Sequence, residues 1–437
     1  MIQSTGFDRK KLPSYVIENI DVWTSKGVFK NAQICVVEGR FKGYQAPTAN
    51  RLERLDGQGC VLMPAGVDAQ THLRVPGQAH KETPRTGLLA ALKGGYSALL
   101  TMPNTQPTVD SVEVLAQGQS EVRECEAEFG VKVYWSAAIT KKLNSNDLTG
   151  FDDLIRAGVR AFTNDGLGVA YDEVMAQAFA RLENVDVPLL QHAEFLGHGG
   201  SLAPGPVQCR VGAAPYPDEP EWKMVERDLR ELRKHKNARY HVLHVSSRKT
   251  LELVQEAKRE GLRVTCEVSP HHLYFNTETI DADNLAFKMN PPIRSPEDQE
   301  ALWRGLSDGT VDFVATDHAP HEALMKSGPF NQAAFGTLGL ETTLPVLIDG
   351  WKQGRLTPER LVQVFASEPA KFLRLPDGLG GFIEGAPFHA VWVDVESPKK
   401  LFSEACISSL SKNSCFLGTH LPGRVRGAFH EQSVFVF

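Results

Sequence analysis

No apolar run in this 437-residue chain reaches the length of a membrane span. Nor is there an excess of positive charge. With 47 Lys and Arg against 53 Asp and Glu, the formal net charge is −6, which argues against both a nucleic-acid groove and an anionic membrane surface as partner. Cysteine is sparse and unpatterned: Cys35, Cys60, Cys125, Cys209, Cys266, Cys406 and Cys415 contain no CxxC pair. A disulfide framework or a zinc finger is therefore not expected, and a reducing cytoplasm is the expected setting. The first residues carry positive charge with no apolar segment behind them, so they do not read as a secretory signal. What is present is ordinary globular material, 42% hydrophobic and 23% charged. The length suits a barrel of about 250 residues plus a second module.

Residues 14–64 read as short β-rich runs (SYVIENIDVW, AQICVVEG, GCVLMP) broken by Gly, Pro and Asn. From about 66 onward short apolar runs alternate with amphipathic stretches, the signature of a parallel sheet with crossover helices. The strand candidates are VLMPAGVD, YSALLTM, VKVYWSAA, GVRAFTN, VPLLQHA, YHVLHVS, RVTCEVS and VDFVATD. Between them lie helical runs such as DSVEVLAQGQSEVRECEAEF, YDEVMAQAFARLENV, RKTLELVQEAKREG and SPEDQEALWRGLSDG. Eight such units favour an α/β fold of the (β/α)8 TIM-barrel type over an open sheet. β-like runs return in FHAVWVDV and EQSVFVF. The expected organisation is a small β-sandwich-like domain from residues 1–65 and 380–437, with a barrel of residues 66–379 inserted between its halves.

Polar, metal-competent residues recur at the C-terminal ends of the strand candidates. The first ends in Asp68-Ala-Gln70-Thr-His72-Leu-Arg74 and the second in Asn104. The fourth ends in Asn164-Asp165, the fifth in His192, the sixth in His244 and the eighth in Asp317-His318-Ala-Pro-His321. A lone histidine at a strand end is more often a hydrogen-bonded core residue than a ligand. Here six strand ends agree, and a barrel brings them to one face, where barrel enzymes place their sites. His and Asp without Cys suit zinc in a hydrolytic centre. Asp165, His192 and His244 supply one ion's protein ligands; a second ion draws on His72 and Asp317 and shares Asp165. Two close ions hold and activate the attacking water, and Asp317 is placed to move its proton to the leaving nitrogen.

These residues resemble the amidohydrolase superfamily, and within it the bacterial dihydroorotases whose metals share an Asp bridge. The resemblance rests on GVDAQTHLRVPG, KETPRTG, MPNTQP, AFTNDGLGV, HAE, HVLHVSS, EVSPHHL, KMNPPIR, ATDHAPH and AFGTLGLET, in family order over residues 66–342. The late SKNSCFLG stretch resembles the family's companion domain. The resemblance implies that His72, Asp165, His192, His244 and Asp317 hold one or two zinc ions, with Asp317 also the catalytic acid/base. It implies that Arg74, Asn104 and His321 grip a substrate carboxylate and that Asn290 contacts the ring. The implied reaction is the reversible closure of N-carbamoyl-L-aspartate to L-dihydroorotate in pyrimidine synthesis, by a homodimer. Dihydropyrimidinases and allantoinases are the more distant enzyme reading. They bridge their metals with a carboxylated Lys, and residues 158–165 contain none.

One position departs from the family pattern. Its DxHxH motif reads here Asp68-Ala-Gln70-Thr-His72. A neutral amide oxygen is a poor zinc ligand beside imidazole, so the second ion is expected to bind weakly. Three outcomes stay open: a one-ion enzyme, a two-ion enzyme in which Gln70 or water fills in, or a catalytically impaired partner subunit of aspartate transcarbamoylase. Val75, where the family commonly has Glu, reads as a tolerated loop change. His80 is a substitute ligand or a plain loop residue; His271 and His272 read as packing or supporting residues, and Cys266 as inert core. Residues 321–336 read as a lid or an ordinary surface loop. We expect Gln70→His to raise metal content and hydrolytic rate together; elemental analysis and turnover on the same sample check it, and no change in either counts against Gln70 being at the metal site.

Overall fold

The computed structural model describes residues 7–45, 52–195, 199–281 and 283–437. Residues 1–6 and 46–51, within the expected end-built domain, lie outside the described residues. Eight strands form one parallel sheet in chain order: Gly66–Thr71, Tyr96–Thr101, Lys132–Ala137, Ala161–Thr163, Pro188–Gln191, Arg239–Val242, Val264–Val268 and Phe313–Val314. The eighth closes onto the first. Thr71 bridges His318 in parallel, and the His72 N–H donates to the His318 carbonyl at 2.9 Å. Asp68 seals the seam, accepting from the Thr316 N–H (2.8 Å) and hydroxyl (2.6 Å). This is the (β/α)8 barrel expected from the sequence.

Both faces of such a sheet are covered, so its strands are apolar almost throughout rather than alternating. Val67, Ala69, Leu100, Ala161, Leu190, Leu243, Phe313 and Ala315 pack inside, with Phe372 and Leu373 in the same cluster. Local chemistry sets the helix ends. Thr83 and Ser295 each form a capping box ahead of Pro84 and Pro296, and Gly130 and Gly309 end their helices in the left-handed conformation.

The expected first strand divides. Val61–Pro64 joins the end-built sheet, pairing with His389–Asp394, whereas Gly66–Thr71 starts the barrel. A continuous apolar run conceals the break because both halves are buried. The second sheet has nine strands drawn from both chain ends, in which Tyr15–Thr24 pairs with Gly27–Val37 and Arg424–His430 with Ser433–Val436. Tyr15, Ile17, Ile34, Val36, Phe388 and Phe429 form its core. Among the described residues, no helix is long and apolar enough to cross a membrane.

The 411–418 stretch does not join that sheet. Asn413 donates to the carbonyls of Ala319 (3.0 Å) and Gly336 (3.2 Å) and accepts from the His321 N–H (3.0 Å), so it braces the loop over the barrel mouth. Nearby, buried Glu82 accepts from the Leu410 N–H at 2.9 Å and from the Ser409 hydroxyl.

Candidate metal and substrate site

The C-terminal ends of the barrel strands surround a cavity of about 200 Å³, lined by His72, Arg74, Asn104, Asp165, His192, His244, Asn290, Asp317 and His321, together with Ala319, Phe335 and glycines. Every residue expected at the site from the sequence is therefore in one place. Three of them turn sharply to get there: Arg74, His244 and Asp317 have φ of 60°, 32° and 46°. Left-handed backbone at non-glycine residues costs on the order of 1–3 kcal/mol each, and such strain concentrates at functional sites. Gly77 sets the turn behind Arg74. A Cβ there would lie 1.8 Å from the Gln106 carbonyl oxygen, so only glycine lets the two loops meet.

Asp165 is the centre. His192 Nδ1 lies 3.3 Å and His244 Nε2 3.6 Å from its Oδ1, and those two nitrogens are 2.9 Å apart. Such a triangle suits three ligands about 2.0–2.2 Å from a common ion. The other oxygen faces the second half of the site: His72 Nε2 lies 3.1 Å from Asp165 Oδ2 and 3.2 Å from Asp317 Oδ1. Asp165 Oδ2 is buried and has no hydrogen-bond partner. A buried carboxylate oxygen is seldom left so, and a bound cation would supply what is missing. The donor set fits a divalent metal, with Asp165 able to face two ions at once.

The supporting contacts present the right atoms. His72 Nδ1 is 2.9 Å from Asn104 Oδ1, and Asn104 Nδ2 donates to the Asp165 carbonyl at 3.2 Å. Asn104 is thereby an acceptor for the His72 Nδ1–H, so the displaceable proton of this ring is the one on Nε2, toward the carboxylates. Arg74 donates to the Pro320 carbonyl (3.2 Å) and to His321 Nε2 (3.1 Å). Burial, then the guanidinium beside it, pushes the His321 imidazole down to about 2, so it is neutral. Its proton sits on Nδ1, which has no partner, so Arg74 and His321 together present N–H donors on one side of the cavity.

Gln70 lies at the centre, fully buried. Its Nε2 donates to Asp165 Oδ1 at 3.3 Å, and its Oε1 has no partner. An NH2 group cannot coordinate a metal. In this orientation Gln70 supports the Asp165 carboxylate as a hydrogen-bond donor and turns no ligand atom toward it.

Other expectations resolve by position. His80 does not line the cavity; it is half exposed, 4.0 Å from Glu322. His271 and His272 are buried behind the seventh strand, and His272 Nε2 lies 3.1 Å from the Pro291 carbonyl. Cys266 is fully buried. Within 321–336, Lys326 donates to the carbonyls of Leu285 and Lys288, and Phe335 closes one wall of the cavity with the Lys288 ammonium 4.5 Å from its ring. Sequence reasoning missed Asn413 and Glu194. Glu194 lay in plain view in the HAE run, two residues beyond His192.

A family model described as dihydro-orotase-like matches residues 59–250. A dihydroorotase of Listeria monocytogenes serotype 4b (strain F2365) is 37% identical over 421 residues, 95% of this chain and 97% of the relative. The chain belongs to the dihydroorotase family. Another member, the dihydroorotase of Anaplasma phagocytophilum (strain HZ), is 40% identical over 375 residues, 85% of this chain and 82% of its own. Among solved structures, the L-hydantoinase (dihydropyrimidinase) of Arthrobacter aurescens superimposes with a TM-score of 0.84 at 23% identity, covering 96% of this chain and 95% of that one. The dihydropyrimidinase of Brevibacillus agri NCHU1002 gives 0.81 at 19% identity, covering 96% and 94%. At these identities the structural likeness speaks for the fold alone.

The electrostatics of this family site give a pH dependence with a definite sign. Burial would depress both histidines, but the neighbouring Asp165 and Asp317 carboxylates outweigh it and raise His72 to about 9. Asp165 and Glu194 likewise raise His192 to about 10. Both rings hold a proton at neutral pH that an incoming ion must displace. Zinc affinity should fall with pH by about tenfold per unit for each proton displaced. Chelator competition at pH 6 and pH 8 checks it; equal affinity at both would contradict the arrangement.

Proposed function

We propose that this chain is a metal-dependent dihydroorotase, interconverting L-dihydroorotate and N-carbamoyl-L-aspartate. The observation that carries the reading is the joining in one small cavity of a metal-competent Asp–His set with an Arg74–His321 carboxylate receptor. A cyclic amide bearing a carboxylate needs both. Hydantoin-type rings without a carboxylate have no use for the second, and position 165 is Asp rather than Lys.

Zinc is the ion proposed, held by Asp165, His192 and His244, with a second facing His72, Asp317 and the other Asp165 oxygen. A divalent ion bound there supplies Lewis acidity, polarising the amide carbonyl and lowering the pKa of water. The chain's own residues do the rest. Arg74, His321 and Asn104 hold the substrate carboxylate and fix the ring's orientation, and Asn290 borders the ring. Asp317, only slightly exposed, takes the proton of the attacking water and returns it to the leaving nitrogen. In the closing direction it accepts the proton of the carbamoyl nitrogen as the C–N bond forms and passes it to the departing carboxyl oxygen, which leaves as water. Phe335 limits water at the mouth.

We further propose the division into an end-built domain (1–65 and 380–437) and a barrel (66–379), supported by the joint sheet of both chain ends. A cytoplasmic homodimer is proposed by analogy with the family; the seven free cysteines are compatible with a reducing compartment. A second reading is favoured by one observation, the Gln70 amide that donates to Asp165 where the family has a ligand. On it the chain is a catalytically impaired partner of aspartate transcarbamoylase.

Dihydroorotate hydrolysis by the purified protein, with zinc measured on the same sample, separates the two. The enzyme reading expects turnover lost to a chelator and restored by zinc. A folded, zinc-loaded protein without turnover that co-migrates with aspartate transcarbamoylase on a sizing column would favour the partner reading.

A further inference from the structure

Of the cavity-lining groups, His192 is the one that must choose between two nitrogens under the pull of two carboxylates. Its Nδ1 faces Asp165 and His244, while its Nε2 lies 3.3 Å from Glu194 Oε2. Glu194 is mostly buried, with its side chain 14% exposed, and it does not line the cavity. The same Oε2 accepts from Asn290 Nδ2 at 2.6 Å, and Asn290 Nδ2 is itself 3.2 Å from His192 Nε2. One carboxylate oxygen thus meets both the metal-facing imidazole and the amide that borders the substrate space. The backbone fixes this arrangement: the Glu194 N–H contacts Met224 Sδ at 3.2 Å, and the side chain extends from the residue two beyond His192, on the far side of the ring from Asp165.

From this geometry we infer that Glu194 is a positioning residue that makes His192 an Nδ1 metal ligand and locks the amide of Asn290 beside it. A neutral imidazole carries one proton. A carboxylate at Nε2 holds that proton there, so the lone pair is left on Nδ1, toward Asp165 and His244. The carboxylate also raises the basicity of Nδ1, because partial negative charge is passed through the ring. Asn290 follows from the same oxygen: with Glu194 as acceptor its NH2 is held toward that carboxylate, since turning the amide over would set its oxygen against it. The inference rests on the proposed function only in taking the Asp165, His192 and His244 set as a divalent-ion site. It adds a residue that couples ion binding to the substrate wall.

The test uses the full-length protein, Glu194→Ala and Glu194→Gln, with zinc as the probe. Zinc affinity is read by competition with a chromophoric chelator, after metal-free melting temperatures show that the variants fold like the parent. Glu194→Ala should weaken zinc by about 10–100-fold, the usual cost of losing an outer partner of a metal-bound histidine. Glu194→Gln should fall between, because its amide oxygen still accepts the Nε2 proton without the charge. In zinc-loaded, histidine-labelled wild-type protein, nitrogen NMR should show His192 protonated on Nε2 and bare on Nδ1. Zinc affinities within twofold of one another in all three proteins, or a His192 protonated on Nδ1, would overturn the inference while leaving the metal site standing. A wild-type protein that takes up no zinc would overturn both.

Discussion

Asp165 is a carboxylate with almost no access to water, and both of its oxygens look at other charged or polar groups. Removing such a charge from solvent costs several kcal/mol unless it is compensated. Burial alone would raise its pKa, yet the imidazoles of His192, His244 and His72 beside it hold it well below the usual carboxylate range. One oxygen faces His192 and His244, the other His72, with Asp317 beyond it. The rest of the site is an answer to that charge. In the metal-free protein His72 and His192 hold protons against it; a bound ion would displace those protons and take the same nitrogens as ligands. This exchange is how one cluster can be stable without metal and competent with it.

The barrel makes this cluster possible. Asp165, His192 and His244 come from three neighbouring strand ends, and His72 and Asp317 from the two strands that meet at the closing seam. Asp68, just below, spends its hydrogen bonds on Thr316, Thr71 and the Gln70 N–H, so it secures the seam that sets the spacing of the ligands above it. Burial raises its pKa to about 6 against the pull of those bonds. The 411–418 stretch braces the site from outside, through Asn413 beside the loop that carries His321.

Much of this was legible in the sequence because a barrel converts sequence order into position. Apolar strands followed by His, Asp or Asn give the ligand set without any knowledge of contacts, and the four quoted helical runs became helices at Val112–Phe129, Asp172–Leu182, Arg248–Arg259 and Pro296–Asp308. The divided first strand was not legible, because residues 61–67 read as one unbroken apolar run and both halves are equally buried. Asn413 was hidden for a different reason: its partners, His321 and Ala319, are distant in the chain. Glu194 lay beside an expected ligand, but only the ring orientation of His192 reveals it. At Gln70 the family resemblance led to the expectation of a replaced ligand; the structure adds that its amide nitrogen, not its oxygen, meets Asp165.

The central claim is that Asp165, His192 and His244 form a divalent-ion site in which Asp165 is the common ligand. Crystals grown with zinc and measured on both sides of the zinc absorption edge test it directly. The account predicts an anomalous peak within coordination distance of Asp165 Oδ1, His192 Nδ1 and His244 Nε2. Zinc found elsewhere on the protein, with these three groups hydrogen-bonded only to one another, would contradict it.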